Sequence, residues 1–132
     1  MQPFLCDSDI VDWRAADVLA LATRLGTGAV DEETIARRCF VWVRDEVRHS
    51  VDHQTGPLTC RASETLRFCT GFCFAKSHLL VALLRANQIP AGFCYQRLAL
   101  DGAVSRFTLH GLVGIHLQRF GWYRVDPRGD KP

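Results

Sequence analysis

The chain has 132 residues, a length typical of one domain, and we expect a single domain over residues 1–132. Its residues are 48% apolar and 23% charged, which is ordinary for a globular protein and excludes a disordered or fibrous chain. Sixteen Lys and Arg residues against 14 Asp and Glu residues give a net charge of +2, too balanced to indicate a nucleic-acid or membrane partner.

The start of the sequence does not match the pattern of a signal peptide. Residues 1–7 lack the basic region and the longer apolar run of a signal peptide. No apolar run elsewhere approaches the roughly 20 residues that a membrane-spanning helix needs. We therefore expect a bacterial-type cytoplasmic location.

The first half of the sequence is predicted to be helical. Polar residues at 7–9 offer capping oxygens for a first helix, whose apolar residues recur at helical spacing until Gly26. Asp31 is the expected N-cap of a second helix, which should fade near Arg48. Residues 49–59 contain a Gly-Pro pair and are predicted to form a loop.

The middle of the chain predicts two further helices. A short one covers residues 62–68. A longer one covers residues 74–87, where Ala and Leu residues favour helix, and Pro90 prevents its continuation. This long segment is the most apolar in the chain, so we expect a buried central helix with Cys73 in or next to its first turn.

The C-terminal part changes to a strand pattern. We predict strands over 92–100, 107–117 and 122–126, with a hairpin turn between the last two. Helices first and an antiparallel sheet second define an α+β fold, in which a helical N-terminal half packs on a C-terminal antiparallel sheet.

The six cysteines are expected to be free thiols. Disulfides are not expected without a secretion signal. Structural zinc usually shows paired Cys-x2–4-Cys spacings. Cys69 and Cys73 come near this spacing, but no second pair follows, so we expect no metal. Most of the thiols would be small buried apolar side chains.

Cys73 has the features of a nucleophile. It closely follows Gly71, which would let the backbone turn sharply into the helix. A helix N-terminus favours a thiolate, because its N–H groups and the helix dipole stabilise negative charge. The same N–H groups could hold the oxyanion of a tetrahedral intermediate.

A thiol nucleophile needs a base, and the base needs an orienting partner. His110 lies on the second predicted strand and Asp126 at the end of the third. An odd hairpin loop, such as residues 119–121, would place both on one face, and side-chain reach together with a bulge would close the remaining offset. The sheet would then present this pair to Cys73, as in a papain-like thiol site. The other histidines that compete for the base role are His49, His53, His78 and His116.

Several runs of the sequence resemble the bacterial transglutaminase-like superfamily of cysteine-proteinase-like thiol enzymes. The resemblance is specific from about residue 62 onwards and only general before it. The runs that carry it are residues 62–66, 71–76 and 83–92, then His110, then residues 122–129.

The resemblance implies an α+β cysteine-proteinase-like fold. It implies Cys73 as the nucleophile, His110 as the base and Asp126 as the residue that orients the base, with no cofactor and no metal. The implied activity is hydrolysis or transfer of peptide or glutamine-type amides through a Cys73 thioester. The implied partner is a peptide or protein substrate.

The sequence departs from the family pattern in two places. The catalytic His of the family is commonly followed by Ala-Trp, whereas Gly111 and Leu112 follow His110 here. The chain also ends six residues after Asp126, where many relatives continue. The first departure bears on the aromatic wall beside the site and on the substrate class. The second implies that part of the acyl-donor groove is missing or is supplied by a partner chain.

Three other interpretations stay open at this point. The domain could be a catalytically inactive binding module of the same fold. It could be a thiol acetyltransferase of the arylamine type, which also uses Cys, His and Asp and which acyl-CoA turnover would distinguish. It could also be a zinc module, which metal analysis of the purified protein would distinguish.

Overall fold

Helices form the N-terminal part of the chain and a three-stranded antiparallel sheet forms the C-terminal part, so the predicted α+β fold is confirmed. The computed structural model describes residues 1–54, 56–100, 102 and 105–129. The helices are α1 (Ala16–Gly26), α2 (Glu32–Glu46), α3 (Ser50–His53), α4 (Ala62–Phe68) and α5 (Cys73–Ala86). The strands are β1 (Arg48–His49), β2 (Thr70–Gly71), β3 (Ala91–Ala99), β4 (Phe107–Leu117) and β5 (Gly121–Val125).

Helix α1 begins at Ala16, so the prediction that residues 7–9 cap it is wrong. A tertiary contact explains the late start. The Asp12 carboxylate accepts hydrogen bonds from the backbone N–H and the hydroxyl of Ser63, at 3.0 and 2.5 Å. Ser63 lies in the first turn of α4, and this contact holds the segment before α1 in a non-helical conformation.

Helix α2 begins where its capping residue predicts. The Asp31 carboxylate accepts a hydrogen bond from the Thr34 N–H at 2.7 Å, which is the usual N-cap geometry. The prediction of a loop over 49–59 is wrong for its first residues, because His49 belongs to β1 and residues 50–53 form α3. Strand β1 pairs in parallel with β2, and His49 lies opposite Gly71.

Helix α5 runs through the core. Ten of its residues are buried, and it packs against α1, α2, α4 and the sheet. Helix α5 contacts the face of β4 that carries the buried side chains of Val113, Ile115 and Leu117. None of the helices that the structure describes is long and apolar enough to cross a membrane.

The sheet has the order β3-β4-β5, and all its pairs are antiparallel. In the hairpin between β4 and β5, Leu117 pairs with Gly121, so the loop consists of residues 118–120. The loop is odd, as predicted, but begins one residue earlier than expected. Gly121 has a φ of +70°, which glycine adopts without strain.

Replacing Leu80 with Ala should destabilise the protein strongly. Leu80 is 0% exposed on α5, so its removal leaves a cavity in the core, and we expect a loss of about 2–5 kcal/mol in the free energy of unfolding. Leu19→Ala is the matched control. Leu19 is 39% exposed on α1, so its replacement should lower the free energy of unfolding clearly less. Urea unfolding measures both variants, and equal losses would contradict this account of the core.

Candidate active site

Cys73 is the first residue of α5, and its side chain is half-buried. Gly71, two residues earlier, is needed for space: a Cβ atom there would lie 2.6 Å from the Cβ of Ala75 and 3.0 Å from the Oγ1 of Thr59. Gly71 is not among the residues with positive φ, so the expected sharp backbone turn is not its function. The glycine allows β2 to pass close to the start of α5.

His110 and Asp126 are in direct contact. The Nε2–H of His110 donates to Oδ2 of Asp126 at 2.7 Å, and Oδ1 of Asp126 accepts the backbone N–H of Arg128 at 2.9 Å. Both carboxylate oxygens are therefore fixed by hydrogen bonds. Because Asp126 holds Nε2, the Nδ1 atom of His110 is the ring nitrogen that can take a proton from a thiol.

The expected bulge between His110 and Asp126 is absent from the described pairing of β4 with β5. This register is continuous and ends at the pair Val113–Val125. Asp126 follows the last residue of β5, and His110 lies three residues before Val113 on β4. The two residues share a face at a diagonal offset of two, a separation that side chains of this length can span.

Cys73 and His110 line the same cavity, which has a volume of about 550 Å³. Its wall is largely apolar, and none of the lining residues that the structure describes is acidic. The apolar lining residues are Val51, Leu58, Phe72, Phe74, Ala75, Leu98 and Leu109. The other lining residues are His49, Thr59, Cys60, His78, Thr108 and Arg128.

The structure separates the other histidines by position. His116 packs against Trp122 at 5.4 Å between ring centroids and does not line the cavity, and neither does His53. His78 lines it, but its Nδ1–H donates to the carbonyl of Cys60 at 2.7 Å, and burial lowers the pKa of the imidazole. His49 also lines the cavity. The pairing of β1 with β2 places it there, and short-range sequence patterns do not indicate this pairing.

The expectation that most of the six cysteines are buried is wrong, because only Cys39 among them is buried. Cys39 is fully buried, and burial raises its pKa to about 12, so its thiol stays protonated at neutral pH. Cys60 is exposed and lines the cavity with Cys73. The thiol of Cys69 donates to the carbonyl of Leu66 at 3.2 Å. Among the residues that the structure describes, no three His, Cys, Asp or Glu side chains form a group that could hold a metal ion.

Gly111, which departs from the family pattern, has a packing role. A Cβ atom at this position would lie 2.9 Å from Cδ1 of Phe74, the residue after Cys73. The hydroxyl of Ser77 donates to the carbonyl of Gly111 at 3.4 Å. Glycine therefore lets β4 lie against the first turns of α5, next to His110.

The helices and the antiparallel sheet together define a mixed α+β domain. A family model described as the transglutaminase-like superfamily matches residues 19–127. The chain belongs to this superfamily. A search of curated proteins finds no match.

Solved structures with a similar fold include a protein from Cytophaga hutchinsonii and one from Pseudomonas aeruginosa. A candidate cysteine protease from Cytophaga hutchinsonii has a TM-score of 0.76 and 20% identity, covering 96% of this chain and 41% of that one. The periplasmic domain of TgpA from Pseudomonas aeruginosa, bound to ethylmercury, has a TM-score of 0.72 and 19% identity, covering 96% of this chain and 47% of that one. The chain thus spans less than half the length of these structures, and the likeness concerns the fold.

The pH dependence of stability should report the buried environment of His78. Burial lowers the pKa of folded His78 below the ordinary 6.5, so the unfolded chain binds a proton at this residue more readily. Its contribution to stability is therefore present above pH 6.5 and is lost as the pH falls through and below that value. His78→Gln should lose less free energy of unfolding than wild type between about pH 7.5 and about pH 5. Urea unfolding at both pH values measures this difference, and an unchanged pH dependence in the variant would contradict the prediction.

Proposed function

We propose that this domain is a thiol acyl-transfer enzyme, with Cys73 as the nucleophile, His110 as the base and Asp126 as the residue that orients the base. The observation that carries the proposal is the His110 imidazole, held by Asp126 at 2.7 Å, in the wall of the cavity that Cys73 also lines. Membership of the transglutaminase-like superfamily supports the same reaction class.

In the first half-reaction, Nδ1 of His110 takes the proton of the Cys73 thiol, and the thiolate attacks the carbonyl carbon of an amide. The carbonyl oxygen becomes an oxyanion. The backbone N–H of Cys73 lies at the start of α5, where N–H groups have no partner within the helix, and it donates to this oxygen. The imidazolium of His110 then gives its proton to the leaving amine, and a thioester on Cys73 remains.

In the second half-reaction, water or a primary amine attacks the thioester. His110 takes a proton from this nucleophile and returns it to the sulfur as the C–S bond breaks. Asp126 fixes the tautomer of the imidazole and stabilises the imidazolium in both halves. This mechanism needs no cofactor and no metal.

The cavity favours a peptide or protein as the acyl donor. Its volume of about 550 Å³ accommodates a side chain with part of a backbone, and its walls are mostly apolar. The cytoplasmic location, the single domain, and the lack of nucleic-acid and membrane partners remain predictions from the sequence.

Substitution of the three residues tests the proposal. Turnover is followed with a fluorogenic peptide amide for hydrolysis, and with a glutamine-containing peptide plus a fluorescent primary amine for transfer. Cys73→Ala should abolish both reactions. Asp126→Asn should lower kcat by about 10²–10⁴-fold, because the imidazole loses its orienting carboxylate.

Cys94→Ser is the matched control, since Cys94 does not line the cavity, and it should retain wild-type turnover within about twofold. Turnover that survives Cys73→Ala would contradict the proposal. A wild-type protein that binds these peptides without turnover would indicate an inactive binding module.

A further inference from the structure

We propose that His49 supplies a second hydrogen bond to the oxyanion that forms on the substrate at Cys73. The inference rests on the proposed function and extends it, because the mechanism above names only the backbone N–H of Cys73 as a donor. Oxyanion sites of acyl-transfer enzymes commonly combine donors from two places in the chain.

The backbone places His49 next to the nucleophile. In the parallel pair of β1 and β2, His49 lies directly opposite Gly71, two residues before Cys73. One residue earlier in β1, Arg48 lies opposite Thr70, and the Arg48 N–H donates to the carbonyl of Cys69 at 2.9 Å. The distance from His49 to the start of α5 is therefore set by strand pairing.

The side chain of His49 is built into the wall of the cavity. It is 5% exposed, and its ring packs edge-on against the ring of Phe72, with 5.9 Å between centroids and 82° between planes. Phe72 is the N-cap residue of α5 and immediately precedes Cys73. His49 lines the same cavity as Cys73 and His110, so a polar ring is buried in the wall of the cavity that the Cys73 thiol also lines.

A carboxylate lies beside this ring as well. Oδ2 of Asp52 is 3.6 Å from Nδ1 of His49, and Oδ1 of Asp52 is 3.7 Å from a guanidinium nitrogen of Arg128. A proton on Nδ1 alone would leave Nε2 as an acceptor, so the inferred donor is Nε2–H of a ring that carries protons on both nitrogens. A carboxylate beside Nδ1 favours this doubly protonated ring and restricts how it can rotate.

His49 is better placed as an oxyanion donor than as the base. The base requires a close orienting hydrogen bond, and His110 has one at 2.7 Å, whereas the His49–Asp52 separation is 3.6 Å. Two other polar groups of the cavity wall donate elsewhere. The Thr59 hydroxyl donates to the Thr70 carbonyl at 2.7 Å, and Nδ1–H of His78 donates to the Cys60 carbonyl at 2.7 Å.

The experiment separates oxyanion stabilisation from thiol activation. The probe for acylation is p-nitrophenyl acetate: the Cys73 sulfur bonds to the acetyl carbon through an oxyanion, and p-nitrophenolate leaves with the electron pair of the broken C–O bond. The probe for the thiolate is iodoacetamide, which transfers a carboxamidomethyl group to sulfur and releases iodide. This alkylation forms no oxyanion, so a lost oxyanion donor does not affect it.

The variant His49→Phe keeps an aromatic ring against Phe72 but has no N–H. We expect it to slow acylation of Cys73 on the order of 100-fold while alkylation of Cys73 stays within about twofold of wild type. His49→Gln keeps an N–H donor and should recover most of the acylation rate. His116→Phe removes a histidine that does not line the cavity, and it should match wild type in both reactions.

Peptide mapping by mass spectrometry assigns both labels to Cys73, and thermal unfolding confirms that each variant is folded. His49→Leu replaces the Phe variant if the latter does not fold. Equal losses in acylation and alkylation would assign His49 to thiol activation and overturn the inference. Unchanged acylation in the non-donor variant would overturn it too. A wild-type protein whose Cys73 is not acylated would overturn the proposed function itself, and this result needs no variant.

Discussion

The register of the β4–β5 hairpin is the constraint on which the candidate site depends. Side chains alternate between the two faces of a strand, so His110 and Asp126 share a face because the loop between the strands has three residues. One residue more or fewer in the loop would move Asp126 to the opposite face. Gly121, at the end of the loop, supports this geometry with a φ of +70°. A carboxylate–imidazole contact of 2.7 Å thus follows from a turn that begins eight residues after His110.

The position of the thiol depends on a different part of the structure, the burial of α5. This helix lies in the core between three other helices and the sheet, so its axis is fixed by packing on all sides. Its N-terminus emerges where β2 and β4 pass, and two glycines make this possible. Gly71 and Gly111 both lie where a Cβ atom would come within 3 Å of a side chain in the first turn of α5. The residues that stabilise the fold are thus the ones that bring the sulfur and the imidazole to one cavity.

Local sequence signals predicted much of this arrangement. Asp31 caps α2, residues 62–68 form α4, and the apolar run after Cys73 forms the central helix, because capping and propensity act within a few residues. The spacing of β4 and β5 predicted a hairpin loop with an odd number of residues, as the structure has it. The sequence also singled out Cys73, His110 and Asp126, since the family resemblance rests on the residues around each of them. The extent of β4 was predicted to the residue.

Contacts between distant segments decided the rest, and these leave no periodic pattern in the sequence. Helix α1 starts late because Asp12 binds Ser63, 51 residues away. Strands β1 and β2 have two residues each, which is too short for an alternation of polar and apolar residues to indicate a strand. Their pairing brings His49 to the cavity. The offset between His110 and Asp126 is closed by the reach of their side chains without a bulge. The sequence by itself determined the longer helices and strands and the residues that carry candidate reactive groups. The tertiary structure decided the short elements and which of these groups meet, because both depend on packing between segments far apart in the chain.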